Sequence, residues 1–398
     1  MRFSPVFYRL SGASLCLLIS VSVLKAQTNV DSINNRPNVI NTAVPFLRIA
    51  PDARSGAMGD AGLALSADAN SVFWNTAKLA FAQQQLGVAV TYTPWLRELV
   101  NDIYLASLGG YYKINDAQAL SFGMRYFSLG SITFTDASGN TLGDFNPREY
   151  CVEAGYGRKL ANHFSTGLNL GFIYSNLAQG YSVNNVPIKA GKAVKADISF
   201  AYNHPAKFGS KIKGEYNIAS TIANIGNKIT YTESAENKDF LPTNLGLGGG
   251  LTLKFDEYNK LTYDLDFNKL LVPTPDSAGD YKNEGVVEGM FKSFGDAPGG
   301  FKEEMREITI STGAEYWYKD LFSVRGGYFY ENKYKGARQY LTAGLGIKYN
   351  VFALDFSYLI PTSSQKNPLD NTLRFTLHFN FAQISQKQAP QDDQNSDD

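Results

Sequence analysis

Leu373-Arg374-Phe375-Thr376-Leu377-His378-Phe379-Asn380-Phe381 decides the fold. Leucine and phenylalanine hold every second position, and Arg374, Thr376, His378 and Asn380 hold the positions between them. Successive side chains of a strand point to opposite faces, so this stretch has one oily side and one polar side. A helix would scatter the same residues around its circumference. Upstream, Leu354, Phe356 and Tyr358 alternate with Asp355 and Ser357, and Leu261, Tyr263, Leu265 and Phe267 alternate with Asp264, Asp266 and Asn268. The pattern predicts fourteen strands, at 86–93, 101–113, 119–128, 148–158, 164–175, 194–203, 212–224, 244–254, 260–269, 305–317, 321–330, 338–349, 351–359 and 372–381. An all-β chain with an even number of segments of about 9–11 residues reads as a transmembrane antiparallel β-barrel over 86–381.

The connections carry the same message. Those after even-numbered strands are short, such as Ile114 to Gln118, Lys159 to His163, Tyr318 to Asp320 and Asn350. Those after odd-numbered strands include 129–147, 176–193, 225–243 and 270–304. Tight turns at one end and long loops at the other are the pattern of an outer-membrane barrel. Tyr111, Tyr112, Tyr126, Phe127, Tyr328 and Tyr330 fall near segment ends, where an aromatic girdle is expected at the lipid headgroups.

Outward from the barrel, the N-terminus reads as a cleaved signal peptide over 1–26. Arg2 and Arg9 form a basic start, Leu10 to Leu24 a mostly apolar run, and Ala26 a small residue before the cut. With the signal removed, Cys16 is lost and Cys151 stands alone, without a bridging partner and expected as a packed small residue. No later segment has eighteen or more continuous apolar residues. Lysine plus arginine and aspartate plus glutamate both number 37, so no one-signed field recruits nucleic acid. Residues 382–398 are rich in Gln, Asp and Asn and read as a disordered periplasmic tail.

The segment 27–85 differs from the rest: an N-terminal extension, then from residue 42 an Ala- and Gly-rich run without sustained alternation. A barrel of this size has a lumen that strand side chains alone do not fill, and this segment is the expected hatch. Ser66 is expected to cap a short helix from Ala67 to Phe73.

The run Ala53-Arg54-Ser55-Gly56-Ala57-Met58-Gly59-Asp60-Ala61-Gly62-Leu63-Ala64, followed by Ala67 to Asn75, resembles the hatch of the FadL-like outer membrane barrels. Together with Val44-Pro45-Phe46-Leu47-Arg48-Ile49 and Ile222 to Ile229, it is most similar to the PorV family of the type IX secretion system. The hatch usually reads Asn-Pro-Ala; here Thr76 follows Asn75. The resemblance marks Arg54, Gly56, Gly59, Asp60, Gly62, Trp74 and Asn75 as hatch residues. It implies an outer membrane secretion component without enzymatic role or cofactor. Its implied partners are the C-terminal signal domain of secreted cargo, the giant translocon barrel, and a surface attachment complex with a sortase-like peptidase. The wider superfamily also contains transporters of hydrophobic small molecules, the alternative function.

The residues themselves spell no catalytic or metal site. His163 and His204 are expected in short turns and His378 on the polar face of the last strand, none with a triad spacing, and no zinc or phosphate-loop pattern occurs. Leu247-Gly248-Gly249-Gly250 sits within a strand and is expected to permit close packing. Asp264 and Asp266 are expected in the lumen, paired with Arg325, Lys348 or Arg374. In the connection 270–304, Val287, Met290, Phe291 and Phe294 fall on one face of a short helix. A merely solvated loop has no need of them, and they are the expected contact with a partner protein.

Overall fold

Every alternating segment is a strand. The computed structural model describes residues 37–95, 102–135, 138–183, 186–209, 212–233, 238–276, 279–363 and 371–382. The signal peptide, Cys16, and the tail from 383 onward lie outside the described residues. The fourteen barrel strands are β1 (Leu86–Pro94), β2 (Ile103–Asn115), β3 (Gln118–Leu129), β4 (Arg148–Ala161), β5 (Phe164–Asn176), β6 (Gly191–Phe208), β7 (Ile212–Gly226), β8 (Asn244–Lys254), β9 (Asn259–Leu270), β10 (Thr309–Tyr318), β11 (Phe322–Tyr330), β12 (Gln339–Tyr349), β13 (Phe352–Pro361) and β14 (Leu373–Phe381). Each pairs antiparallel with its neighbours in sequence. β1 closes the ring on β14, with Leu86 opposite Phe381. Closure removes the free edges that an open sheet of this length would present.

Burial follows the two-residue period. On β14, Arg374, Thr376 and His378 are buried inside the ring, while Phe375, Leu377 and Phe381 are exposed outside it. The same split holds on β9, where Thr262, Asp264 and Asp266 are buried and Tyr263 and Phe267 exposed. A barrel with a polar interior and an oily exterior is inside out relative to a soluble one, and suits a hydrocarbon surround.

Four expectations need correction. β6 runs on to Phe208 because Ala201 to Phe208 pair with β7, so His204 lies in a strand opposite Tyr216, not in a turn. β10 starts at Thr309, since Met305–Glu307 is a 3-10 turn whose Glu307 carboxylate holds Lys269 and Lys335. The connections after β3 and β5 are not plain loops. Each carries a small hairpin, Ile132–Thr135 with Thr141–Phe145 and Ser182–Val183 with Val186–Pro187, and Phe134 of one stacks on Tyr181 of the other connection at 3.9 Å. Tyr111 and Phe127 are buried inside the ring and belong to no girdle. Tyr111 lies beneath Gly87 and Phe127 stacks on Phe46, because their neighbours Tyr112 and Tyr126 take the outward phase of the pleat.

Residues 37–85 pack against inward-facing positions on strands all around the ring. Phe46 and Leu47 join Leu105, Phe127, Cys151, Ile173, Phe329, Tyr340 and Leu359 in an apolar cluster, with Cys151 as a buried packing residue. The helix Ala53–Ala57 packs on β12, β13 and β14, and the 3-10 turn Thr76–Phe81 on β4 and β5. Glycines admit this close approach. A methyl group on Gly313 would stand 2.6 Å from Met58 Cα, and one on Gly167 would stand 2.5 Å from the Ala77 nitrogen. Gly246 and Gly248 serve Leu63 in the same way, the packing role expected of the glycine run on β8.

Candidate functional site

The lumenal segment is fixed by charge. Asp52 caps the helix Ala53–Ala57 by accepting from the Ser55 N–H at 2.8 Å, and its other oxygen accepts the Trp74 indole N–H at 2.8 Å. Arg54, the second residue of that helix, makes a two-pronged contact with Glu315 of β10, Nε to Oε2 at 3.0 Å and Nη2 to Oε1 at 2.9 Å. Its remaining donors reach Asp68 at 3.1 Å, the Ser66 carbonyl at 3.1 Å and the Ser66 hydroxyl at 2.9 Å. Behind it, Arg325 of β11 donates to the same Glu315 at 2.7 Å and to Asp355 of β13 at 2.6 Å. A planar guanidinium fork matched to a carboxylate fixes both direction and distance.

The other residues marked by the resemblance act through backbone and shape. Gly59 has φ +70° and donates to the Thr342 hydroxyl at 2.9 Å, against the backbone of Tyr328, where no side chain fits. Gly56 faces the Arg374 guanidinium, 2.7 Å from where its β-carbon would stand. Asp60 accepts from the Tyr340 hydroxyl at 2.5 Å and lies 3.7 Å from Arg374. Gly62 donates to Asp266 at 2.8 Å and its carbonyl accepts from Lys78 at 2.6 Å. Asn75 closes the helix Ser71–Trp74 and donates to the Phe200 carbonyl at 3.0 Å.

Two expectations fail here. Ser66 caps no helix: Arg54 occupies both its hydroxyl and its carbonyl, and the helix begins five residues later at Ser71. Asp266 does not pair with Arg325, Lys348 or Arg374; it accepts the backbone N–H groups of Gly62 and Leu63, at 2.8 and 2.9 Å. The Asp264 carboxylate beside it is buried without a hydrogen-bond partner. Asp52, Asp68, Lys78 and Glu315 complete the lock and were not singled out in the sequence.

The second constellation is the long connection between β9 and β10. Its helix Val286–Lys292 docks through Val286, which packs on Ile40, Phe240, Leu270 and Val272, and through Gly289, which meets Pro273. Of the four residues expected to share an apolar face, Val287 and Phe291 point away from the barrel at 62% and 76% exposure, and Met290 is half-buried. Phe294 stands past the helix end, 53% exposed, and turns toward Phe301 and Met305. Sequence reasoning missed Phe301, 78% exposed, because the glycines at 299 and 300 separate it from the helical stretch.

The mount beneath this face is ionic. Lys269, on the outward side of β9, donates to Glu304 at 2.9 Å and to Glu307 at 2.6 Å. Lys335 donates to Glu303 at 2.6 Å and to Glu307 at 2.9 Å. The Thr274 hydroxyl donates to Asp296 or Glu307, both at 2.9 Å. Burial pushes Asp296 up to about 6, helped by Glu304 and Glu307 and opposed by the Thr274 donors. Burial acts on Glu303 in the same direction, but the Lys335 hydrogen bond and the Gly299 N–H outweigh it and hold that carboxyl below its usual range. The spacing of Glu303, Glu304 and Glu307 on one turn was the available signal for this mount.

Two cavities flank the lumenal segment. One of about 480 Å³ opens toward the short turns and is lined by Arg54, Asp68, Lys78, Lys159, His163, Tyr202, Lys254 and others; one of about 130 Å³ lies toward the long loops, beside Phe73, Trp74, Arg125 and Lys195. Trp74 and Phe73 line space, while Leu79 is wholly packed. Among the described residues, no group of three or more His, Cys, Asp or Glu side chains is placed to hold a metal, and no helix is long and apolar enough to cross a membrane.

The family model described as type IX secretion system protein PorV matches residues 31–277, more than half of the chain. No curated protein sequence matches. Among solved structures, the Ralstonia pickettii toluene transporter TbuX aligns at 11% identity and a TM-score of 0.46, over 83% of this chain and 98% of that one. The monoaromatic hydrocarbon channel CymD aligns at 14% and 0.47, over 83% and 98%. A Pseudomonas aeruginosa FadL homologue aligns at 10% and 0.38, over 87% and 100%.

Proposed function

Because the chain belongs to the PorV family of type IX secretion system proteins, we propose that it is a non-enzymatic, plugged outer membrane barrel that docks secreted cargo on its long-loop rim. In this reading the rim receives the cargo's C-terminal signal domain from the giant translocon barrel and presents it to the surface attachment complex with its sortase-like peptidase. The oily outer wall lies in lipid, residues 27–85 are the N-terminal extension and hatch, and the N-terminal 26 residues are removed on export.

The observation that carries the reading is the mounted apolar face. Val287 and Phe291 are exposed one helical turn apart, on a loop anchored by Lys269, Lys335 and four carboxylates. Exposed aromatics on a rigid support are the makings of a protein-binding hot spot, because little ordering entropy is lost on docking. Deletion of 283–294 removes the face and leaves the ionic mount. It should abolish surface delivery of cargo while the barrel keeps its heat-modifiable mobility on gels; full secretion by the deletant sinks the proposal.

Uptake of hydrophobic small molecules, the competing function, fits the lumen less well. The larger cavity is lined by lysines, carboxylates and amides, and an apolar solute would strip water from them without replacing their hydrogen bonds.

A further inference from the structure

The loop that carries the docking face also roofs a groove on the outer wall. Its floor is Leu245 and Leu247 of β8 and Phe267 of β9, outward-facing residues of the strand pattern. Its roof is Phe294, Phe301, Met305 and Ile308. The space is about 280 Å³ and nearly all of its exposed lining is carbon. Lys269 and Glu304 border it, but they are spent on each other and leave no free charge at the apolar floor.

We infer that this groove holds one acyl chain of an outer-leaflet lipid whose phosphorylated head group carries a net negative charge. Two observations select lipid over protein as the occupant. The floor is continuous with the outward apolar band of β8 and β9, so hydrocarbon reaches the groove from the membrane without crossing water. The roof segment is also two-striped. Phe301 and Met305 lie four residues apart and line the groove, while Lys302 and Arg306, one position on, form a parallel basic stripe on the same turns. Lys302 is exposed. An oily slot with cations beside it matches an amphiphile with chain and phosphate, as at interfacial lipid sites elsewhere. If each methylene takes roughly the ~30 Å³ of a water molecule, the slot accommodates about nine of them, the outer part of one chain. The bound lipid would lie under Phe294 and Phe301 and stiffen the loop from below. The inference needs only the membrane placement of the barrel, not its role in secretion.

The test is native mass spectrometry of the mature protein in detergent, titrated with phosphatidylglycerol or with phosphatidylcholine of the same chains. Wild type should retain one phosphatidylglycerol, and Leu247→Trp, which fills the slot while staying apolar, should retain at least tenfold less. Met305→Gln, on the loop and outside the barrel hydrogen bonding, should weaken retention several-fold and guards against a folding defect in the first variant. Lys302→Glu should lower retention of phosphatidylglycerol but not of phosphatidylcholine. Leu341→Trp, outward on β12 away from the groove, should change nothing. Equal retention by Leu247→Trp and wild type overturns the inference, as does equal loss in Leu341→Trp, which would mean only annular lipid. It is likewise overturned if Leu247→Trp sheds a co-purifying membrane protein while lipid retention stays at the wild-type level.

Discussion

Replacing Arg54 by alanine should unlatch the lumenal segment, the proposed hatch, without harming the barrel. The substitution deletes two charged hydrogen bonds to Glu315, two bonds to Ser66 and one to Asp68. Glu315 keeps Arg325, but Asp68 loses its guanidinium partner and Glu315 half of its neutralising charge, in an interior where Glu315 is 1% exposed. Removing one partner of a buried ion pair costs about 3–5 kcal/mol. At about 1.4 kcal/mol per factor of ten, local opening of residues 53–68 should become roughly a hundred- to several-thousand-fold more frequent. Hydrogen exchange of the mature protein in lipid nanodiscs reads this directly, since amides in that stretch exchange when the segment lifts from the wall. Peptides from β12 and β13 should exchange as in wild type, because the barrel ladder is untouched. If the 53–68 peptides of Arg54→Ala exchanged within threefold of wild type, the ion pairs would not be what holds the hatch.

Other consequences follow from the same geometry. Asp266→Ala leaves the Gly62 and Leu63 amides without their acceptor, at about 1–3 kcal/mol each, whereas Asp266→Asn keeps an oxygen; the alanine variant should melt its hatch well before the asparagine variant in a temperature series of tryptophan fluorescence. Gly313→Leu places side-chain atoms where Met58 Cα lies, so the hatch cannot seat, and planar bilayers should record open-pore conductance absent from wild type; a silent Gly313→Leu would show that the lumen is closed by other means. Docking of the long loop should be tightest near the ordinary carboxylate range, about pH 4, and weaken from there to about pH 6. Asp296, raised to about 6, opposes docking by an amount that grows as pH climbs from its ordinary value of 3.8 to about 6 and is constant above that; Glu303, held below its usual value, supports docking above the ordinary carboxylate range and loses that support as pH falls. Asp296→Asn should erase the upper limb of the profile in exchange rates corrected for pH, and a flat wild-type profile would contradict the assignment.

The wall was legible because its signal is periodic. One face of every strand meets a non-polar surround and the other a polar lumen, so each strand repeats its own evidence several times, as from Leu373 to Phe381. Strand ends were less legible. β6 outruns its oily alternation by five residues, since His204 to Phe208 are held by pairing with β7 and not by burial. The lock was legible only as a list of residues. Arg54, Asp60 and Gly62 stood out by resemblance, but which wall carboxylate meets which hatch donor depends on barrel register and on residues more than two hundred positions apart. Asp264 and Asp266 were rightly placed in the lumen and wrongly paired, because alternation tells which way a side chain points and not what faces it across the ring. Phe301 and the mount of Glu303, Glu304 and Glu307 escaped for a related reason: short irregular turns carry no period to read.

The hatch lock and the rim mount are built on one physical plan, and that plan separates docking from opening. In both, lysine or arginine from one element is shared between carboxylates of others, so the bonds are strong where water is scarce and directional where geometry matters. Breaking the hatch lock costs several kcal/mol, more than the typical 1–3 kcal/mol of coupling between distant sites. A partner landing on Val287 and Phe291 would have to spend most of its affinity on that opening, and nothing in the mount transmits such a push, since Lys269 faces outward and the hatch cations face inward. A protein that docked cargo and opened its lumen in one motion would need a bistable element joining the two. What joins them here is the start of the lumenal segment, where Asn38 donates to Glu303 at 3.2 Å and to the Pro275 carbonyl at 3.4 Å, the Ala43 N–H donates to the Phe240 carbonyl at 2.9 Å, and Ile40 lies in the cluster on which Val286 packs. Each of these contacts is worth about 0.5–3 kcal/mol, and they act at separate atoms, whereas opening has to release the five bonds of Arg54 together. Under the proposed function, the barrel would therefore hold its partner on the rim while the lumen stays shut.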